Sequence, residues 1–385
     1  MKSVNTGTMR KKICFITAIP GSAESFLKNH MTALRNEYLV YYVSNESDES
    51  KIHVDYDGYH CVGIQRSISL SKDIKALFLL IKYFRKEKFL AVHSVTPKAG
   101  LLTALAGFMA GVPIRIHIFT GQVWANKKGP MRWLLKFMDR MIVLFGNHFL
   151  VDGEGQRQFL LKQGILKENN SKVLGKGSIC GVNLKRFEPN EQLRIEARNE
   201  INARNKTVFV FMGRLNHDKG LYELLPAFDR LASERKDLLL VLFGNDEENV
   251  AAHFGEYTSL NDGNFLYYGI TREPHKMLQA GDVFVLPTYR EGFGSSVIEA
   301  SALGLPVICS DAYGVMDAMI DNVTGIRCKV GDVDSLYWAM RKFVDEPDLI
   351  KEMGKAGRKR VISDFDGEKM TQLWVEYYHD IVPIE

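Results

Sequence analysis

Short apolar runs alternate with longer helical patterns along almost the whole chain, and they do so in two series. Candidate strands fall at 13–19, 39–43, 89–93, 114–119 and 149–151, then at 208–212, 238–243, 264–268, 283–287 and 307–310. Apolar strands separated by helices build βαβ units and parallel sheets, so the fold class is α/β. Between the series lies a polar stretch, 188–206, which holds Pro189-Asn190 and few apolar positions after Phe187. It reads as a linker. A chain of 385 residues is too long for one ordinary core. The expected division is an N-terminal domain over 1–190, a second domain over 191–365, and a closing helix over 366–385 that packs back on the first. In that last segment Met370, Leu373, Trp374, Tyr377 and Tyr378 recur at helical spacing.

The net charge of +4 hides an asymmetry. Residues 1–190 carry 28 lysines and arginines against 14 acidic residues, while the remainder carries 22 against 32. A basic half beside an acidic half points to an anionic surface or substrate for the first. Two helical stretches there are amphipathic and basic. In 74–89, Ile74, Leu77, Phe78, Ile81 and Phe84 share a face among lysines; in 130–145, Trp133, Leu134, Phe137 and Met138 mix with Arg132, Lys136 and Arg140. Most of these apolar residues are expected to cover a sheet. Lysines can snorkel around such a face, so contact with anionic lipid is compatible with that role.

The five cysteines, Cys14, Cys61, Cys180, Cys309 and Cys328, are scattered and odd in number. They imply neither a disulfide framework nor a zinc site, and they fit a reducing cytoplasm. No apolar run reaches the ~18 residues of a spanning helix. Residues 1–8 are polar and read as a frayed end, with Met1 or Met9 as the natural start. The run 13–19 ends in Pro20-Gly21 and reads as a core strand, not a signal peptide.

Two stretches carry chemistry. Each follows a strand candidate, and open parallel sheets bind ligands at the carboxyl ends of their strands. The first is Gly213-Arg214-Leu215 with Lys219-Gly220. Gly213 allows close approach to a ligand, Arg214 can grip a phosphate through two N–H groups, and Lys219 adds a point charge. Two such cations could neutralise a departing diphosphate without a metal. The second is Glu291-Gly292-Phe293-Gly294, leading into a helix that starts near Ser295-Ser296 and carries Glu299. A helix N-terminus is an anion site, and a carboxylate suits a sugar diol. The combination suits a nucleotide sugar. The acidic run Asp246-Glu247-Glu248 reads as a solvated loop, and no Gly-x-Gly-x-x-Gly follows the first strand, so a dinucleotide oxidoreductase is not expected.

These motifs, with Glu299-Ala300, Gly304-Leu305-Pro306-Val307-Ile308 and Gly314, Asp317 and Gly325, resemble the C-terminal domain of retaining family-4 glycosyltransferases. The resemblance implies a GT-B fold: two Rossmann-like doubly wound domains facing a cleft. More weakly, Thr96-Pro97-Lys98-Ala99-Gly100 and 115–122 resemble bacterial members that build surface glycans on lipid carriers. The resemblance implies that Arg214 and Lys219 hold the donor diphosphate and that Glu299 binds the ribose. Glu291 would contact the donor sugar and stabilise positive charge at its anomeric carbon. Gly213, Phe293, Gly294, Ser295 and Ser296 would complete the donor site, and Gly21, Ser22, Thr120 and Gly121 would line the cleft from the N-terminal domain. Many members carry a histidine just before the glycine of Thr120-Gly121; here it is Thr120, with His117 three residues earlier. Asp317 stands where the family often has Glu.

The implied activity is metal-independent, retaining hexosyl transfer without a cofactor. A nucleotide-sugar donor, most simply a UDP-sugar, would supply the sugar, and a glycan on a polyprenyl diphosphate would receive it, in surface polysaccharide biosynthesis. The protein would be cytoplasmic and peripheral on the inner face of the plasma membrane, its basic half against anionic lipid. No nucleic-acid partner is expected. The alternatives are a nucleotide-sugar epimerase or phosphorylase of the same fold, and a non-catalytic scaffold.

Overall fold

A computed structural model describes residues 10–65, 69–203, 205–258 and 263–383. Residues 1–9, where the frayed end and the alternative start were expected, lie outside them. The chain divides into two compact units, Met1–Cys180 with Glu368–Glu385, and Gly181–Gly367.

Unit 1 is built on a seven-stranded sheet of order β3-β2-β1-β4-β5-β6-β7. Its strands are β1 Lys12–Ile16, β2 Leu39–Ser44, β3 Gly58–Cys61, β4 Ala91–Val95, β5 Ile114–Phe119, β6 His148–Val151 and β7 Ser171–Lys172, all parallel. Crossovers between parallel strands are right-handed, so the direction of each step decides which face its helix covers. The steps from β3 to β4, β4 to β5 and β5 to β6 run one way. Helices Leu70–Glu87, Pro97–Ala110 and Gly129–Phe145 therefore share a face. Cys14 and Ile16 of β1 pack there, with Ala76, Leu80 and Phe84. Alternate side chains point to opposite faces, and Ile13 and Phe15 meet Met31, Leu34, Trp374 and Tyr378 on the other side.

The C-terminal helix Gly367–Ile381 thus belongs to unit 1's second face. Trp374 is fully buried and donates its indole N–H to the Ile179 carbonyl (3.0 Å). His30 stacks on Trp374 at 4.4 Å and bonds Thr371 (3.0 Å) and the Ile179 carbonyl (2.9 Å). His93 stacks on the same indole and bonds the Tyr378 hydroxyl at 2.8 Å. Burial without a counter-charge pushes the His30 imidazole down to about 4.

Unit 2 has a six-stranded parallel sheet of order β10-β9-β8-β11-β12-β13. The strands are β8 Thr207–Met212, β9 Leu238–Phe243, β10 Phe265–Gly269, β11 Val283–Leu286, β12 Val307–Ser310 and β13 Gly325–Cys328. The stretch expected as a linker instead contains the helix Glu191–Glu200, capped by the Asn190 side chain. Arg194 and Arg198 tie that helix to Asp282 (2.5 and 3.1 Å), just before β11. Its polarity reflects ion pairing at a surface, not a loose connection. Among the described residues, no helix is long and apolar enough to cross a membrane.

Candidate active site

In each sheet the strand order reverses at one place, between β1 and β4 in unit 1 and between β8 and β11 in unit 2. Such switch points open a crevice at the strands' carboxyl ends. The expected donor residues flank the one in unit 2. Gly213, Arg214 and Lys219 follow β8, and Glu291 to Glu299 follow β11.

Glycines let these two loops come together. Gly220 sits at φ +73°, and a Cβ there would lie 2.1 Å from the Pro287 carbonyl oxygen. Gly244, after β9, has φ +144°, and its Cβ would come within 1.7 Å of the Gly213 oxygen. Gly314 lies against the turn at Glu291, where a Cβ would meet the Glu291 oxygen at 2.1 Å. No side chain fits at these contacts, so main chain packs on main chain and the charged side chains are left to line the edge. Thr288 reinforces the junction: its hydroxyl donates to the carbonyls of Asp218 (2.9 Å) and Arg290 (3.0 Å).

Lys219 and Glu291 form a direct ion pair, each side chain only about 15% exposed. A cation from one strand end thus touches a carboxylate from the other. Arg214 reaches the Glu247 carboxylate at 2.8 Å but keeps half its side chain in solvent. An exposed pair of this kind is worth about 0–1 kcal/mol, so a phosphate can draw Arg214 away cheaply. The acidic run expected to be a solvated loop is tied to the site instead. Glu247 also accepts from Asn216 (3.1 Å), Glu248 accepts the His217 N–H (2.8 Å), and Asp246 accepts the N–H groups of Val250 and Ala251. Its carboxylates order the Arg214 loop, a role that adjacent acidic residues do not announce in sequence.

The helix Ser295–Ala302 begins after Gly294, which has φ +89°. Its first N–H groups have no partner inside the helix, and Ser295 and Ser296 are half-buried there. Phe293 was expected in the donor set. Its ring is buried edge-on against Phe365 at 5.2 Å, so only its main chain remains for a ligand. Glu299 is partly buried by surface area, yet the protein packs densely around its carboxyl. Desolvation pushes it up to about 7, with Arg186 pulling the other way. A desolvated carboxyl beside a glycine-turned helix start is an uncommon arrangement outside functional sites.

The unit 1 residues form a separate set. Gly21 is exposed and Ser22 half-buried, in the first turn of the helix Pro20–Phe26 after β1. Thr120 is half-buried directly after β5, and Gly121 follows at φ +105°. His117 is no substitute for the missing histidine. It is buried inside unit 1, bonded to Ser94 Oγ at 2.9 Å, and burial pushes it down to about 3. Gly100 makes room for it: a Cβ there would lie 2.4 Å from His117 Cε1.

Sequence reasoning missed Arg290, which grips Asp218 through Nε (2.9 Å) and Nη2 (2.6 Å) and so fastens the Glu291 turn to the Lys219 loop. Its position beside Glu291 was the available signal. It also passed over Asn216 and Gly244, which only the pairing of strand ends reveals.

The two doubly wound units have the architecture of Anabaena Alr3699/HepE in complex with UDP, which aligns over 97% of this chain and 100% of that one with a TM-score of 0.79 at 15% identity. The fold is GT-B. The family model for glycosyl transferases group 1 matches residues 194–360. The capsular polysaccharide biosynthesis glycosyltransferase CapM of Staphylococcus aureus is 30% identical over 330 residues, which covers 86% of either chain. The UDP-Gal:alpha-D-GlcNAc-diphosphoundecaprenol alpha-1,3-galactosyltransferase of Escherichia coli is 26% identical over 82% of either chain. The chain belongs to the glycosyl transferases group 1 family.

Proposed function

We propose that this protein is a retaining, metal-independent hexosyltransferase of surface polysaccharide biosynthesis. It moves a sugar from a UDP-sugar to a glycan on a polyprenyl diphosphate. The observation that carries the reading is the group at the unit 2 switch point: a Lys219–Glu291 pair, a half-exposed Arg214 and the desolvated Glu299. The S. aureus and E. coli relatives support the choice of product and acceptor through what their names say they do.

Unit 2 holds the donor in this reading. The ribose diol donates two hydrogen bonds to Glu299, a carboxylate that protein groups leave available. The diphosphate lies on the N–H groups of the helix Ser295–Ala302 and takes the positive charge of Arg214 and Lys219. Lys219 then has two anionic neighbours, and Glu291 turns toward the sugar. As the bond from the anomeric carbon to the phosphate oxygen breaks, Arg214 and Lys219 stabilise the anion that leaves. Glu291 stabilises positive charge at the anomeric carbon. The acceptor hydroxyl attacks from the face the phosphate leaves, and a phosphate oxygen takes its proton, so the anomeric configuration is kept.

Unit 1 binds the acceptor in this reading, and Gly21, Ser22, Thr120 and Gly121 are its candidate sugar contacts. The Thr120 hydroxyl takes the sugar-contacting part that the family resemblance would give to a histidine. The enzyme works peripherally at the inner face of the plasma membrane. The test is transfer of labelled sugar from UDP-sugars to a short-chain polyprenyl diphosphate carrying one N-acetylhexosamine, with the product's anomeric configuration read by NMR. An α-linked product from an α-linked donor is expected. An inverted product, or transfer unchanged in Lys219→Ala, would remove the mechanism.

A further inference from the structure

Of the twenty large apolar side chains exposed among the described residues, eleven lie on the three helices that share one face of unit 1. On Leu70–Glu87, Leu70, Ile74 and Phe78 recur every fourth residue, and Phe78 is 64% exposed. On Gly129–Phe145, Met131, Leu134 and Phe137 are exposed beside Trp133, at 65%, which stacks on Phe137 at 5.6 Å. Between them, Pro97–Ala110 exposes Phe108 and Met109 near its C-terminal end, and its Leu105 is half-buried. Covering the sheet does not account for these residues. That task falls to Ala76, Leu80 and Phe84 on the opposite side of the first helix. In unit 2 the exposed apolar residues are scattered over separate elements, as with Ile195, Ile270 and Trp338. Exposed apolar residues gathered on neighbouring helices in this way mark an interaction site.

Charge identifies the occupant. These three helices hold three acidic residues, and each is neutralised or buried. Asp73 is paired with Lys98 at 2.6 Å, Glu87 with Lys12 at 2.8 Å, and Asp139 is buried with its carboxyl on the Trp124 indole N–H. Lys72, Lys75, Lys82 and Arg140 remain exposed around the apolar stripes. The face offers apolar side chains and positive charge with no exposed acid. We infer that it docks on an anionic phospholipid monolayer, with Phe78 and Trp133 entering the acyl boundary and the lysines meeting the headgroups. Basic residues near such a surface are drawn to the anionic headgroups, and each buried aromatic adds to this. The inference deepens the reading of a lipid-linked acceptor and rests on it for its purpose, while its geometry stands independently.

The test is flotation of the full chain with vesicles of mixed phosphatidylglycerol and phosphatidylcholine, or of phosphatidylcholine alone. Wild type is expected to float with the anionic vesicles and weakly with the neutral ones. Phe78→Ser with Trp133→Ser should lower that binding about ten-fold or more, while stabilisation by UDP stays unchanged, which shows the variant is folded. Lys72→Glu with Lys75→Glu and Lys82→Glu should lower it on anionic vesicles only. Equal binding by the aromatic variant, equal preference for neutral vesicles, or a wild-type dimer that the aromatic variant dissolves would each overturn the inference. Vesicle binding without sugar transfer would leave this face standing and count against the proposed reaction instead.

Discussion

The two sheets share a topology and use their glycines in opposite ways. Beside the switch point of unit 2, Gly220, Gly244 and Gly314 bring main chain onto main chain, which leaves Lys219, Glu291 and Arg214 to line an edge. In unit 1, Gly100 follows β4 and admits a ring: His117 fills the space a Cβ would take and bonds Ser94. One set of contacts leaves charged side chains at a strand edge, and the other encloses a buried ring. The histidine of the one motif-like stretch is therefore core, whereas the lysine before Gly220 meets a carboxylate from the next strand end. The distinction lies in what the glycine faces.

The sharpest way to break the comparison is at Lys219. Lys219→Ala is expected to lower kcat/KM about 100- to 1,000-fold, as loss of a group on developing charge does, with an unchanged circular dichroism spectrum. A loss below ten-fold would return the Lys219–Glu291 pair to a structural role. On the packed side, Gly100→Ala should cost about 1–3 kcal/mol of stability through overpacking. His117→Ala in the same chain should restore part of it, because the two positions share one space. Denaturant unfolding of the four variants measures this, and additive losses would show that His117 is not what Gly100 accommodates.

Titration separates the units further. Glu299 is raised from 4.5 to about 7, so its folded form favours the proton. It costs the empty protein stability as pH rises from about 4.5 to about 7, and the cost persists above that. A ribose diol donates to the ionised form, so binding should release a proton. Uridine affinity should rise about ten-fold between pH 6 and pH 8 in wild type and stay flat in Glu299→Gln; uridine is chosen because it has no phosphate to titrate. In unit 1 the sign reverses. His30 is lowered from 6.5 to about 4, so its contribution is present above pH 6.5 and is lost as pH falls toward 4. Hydrogen-exchange protection across Gly367–Ile381, taken relative to the intrinsic rate at each pH, should fall over that window, and less so in His30→Gln. The smallest effect is at Glu247. Glu247→Gln should change stability by less than about 1 kcal/mol and tighten UDP slightly, since Arg214 is then held less.

Much of this was legible in the chain. Ten strands with continuous or near-continuous apolar runs were visible, and so were the motifs after β8 and β11. The three that were not, β3, β7 and β13, are all sheet edges. Edge strands are half-exposed, so Gly58-Tyr59-His60-Cys61 and Ser171-Lys172 need no apolar run. The helix Glu191–Glu200 was read as a linker because its charges engage Asp282, some eighty positions on, and no local pattern reports that. The same holds for Arg290 on Asp218 and for Asp246–Glu248: their partners are set by which strands lie side by side. Phe293 was drawn into the donor set by its place in a motif, although its ring belongs to the core with Phe365.

The most direct test of the donor site is calorimetric titration of UDP and of its 2′,3′-dideoxy analogue into wild type and Glu299→Gln. UDP is expected to bind wild type about ten-fold more tightly than the analogue, as two hydrogen bonds to a carboxylate warrant, and the gap should close in Glu299→Gln. Equal affinity for the two nucleotides in wild type, or no binding of UDP at all, would contradict the assignment of this strand edge to a nucleotide sugar.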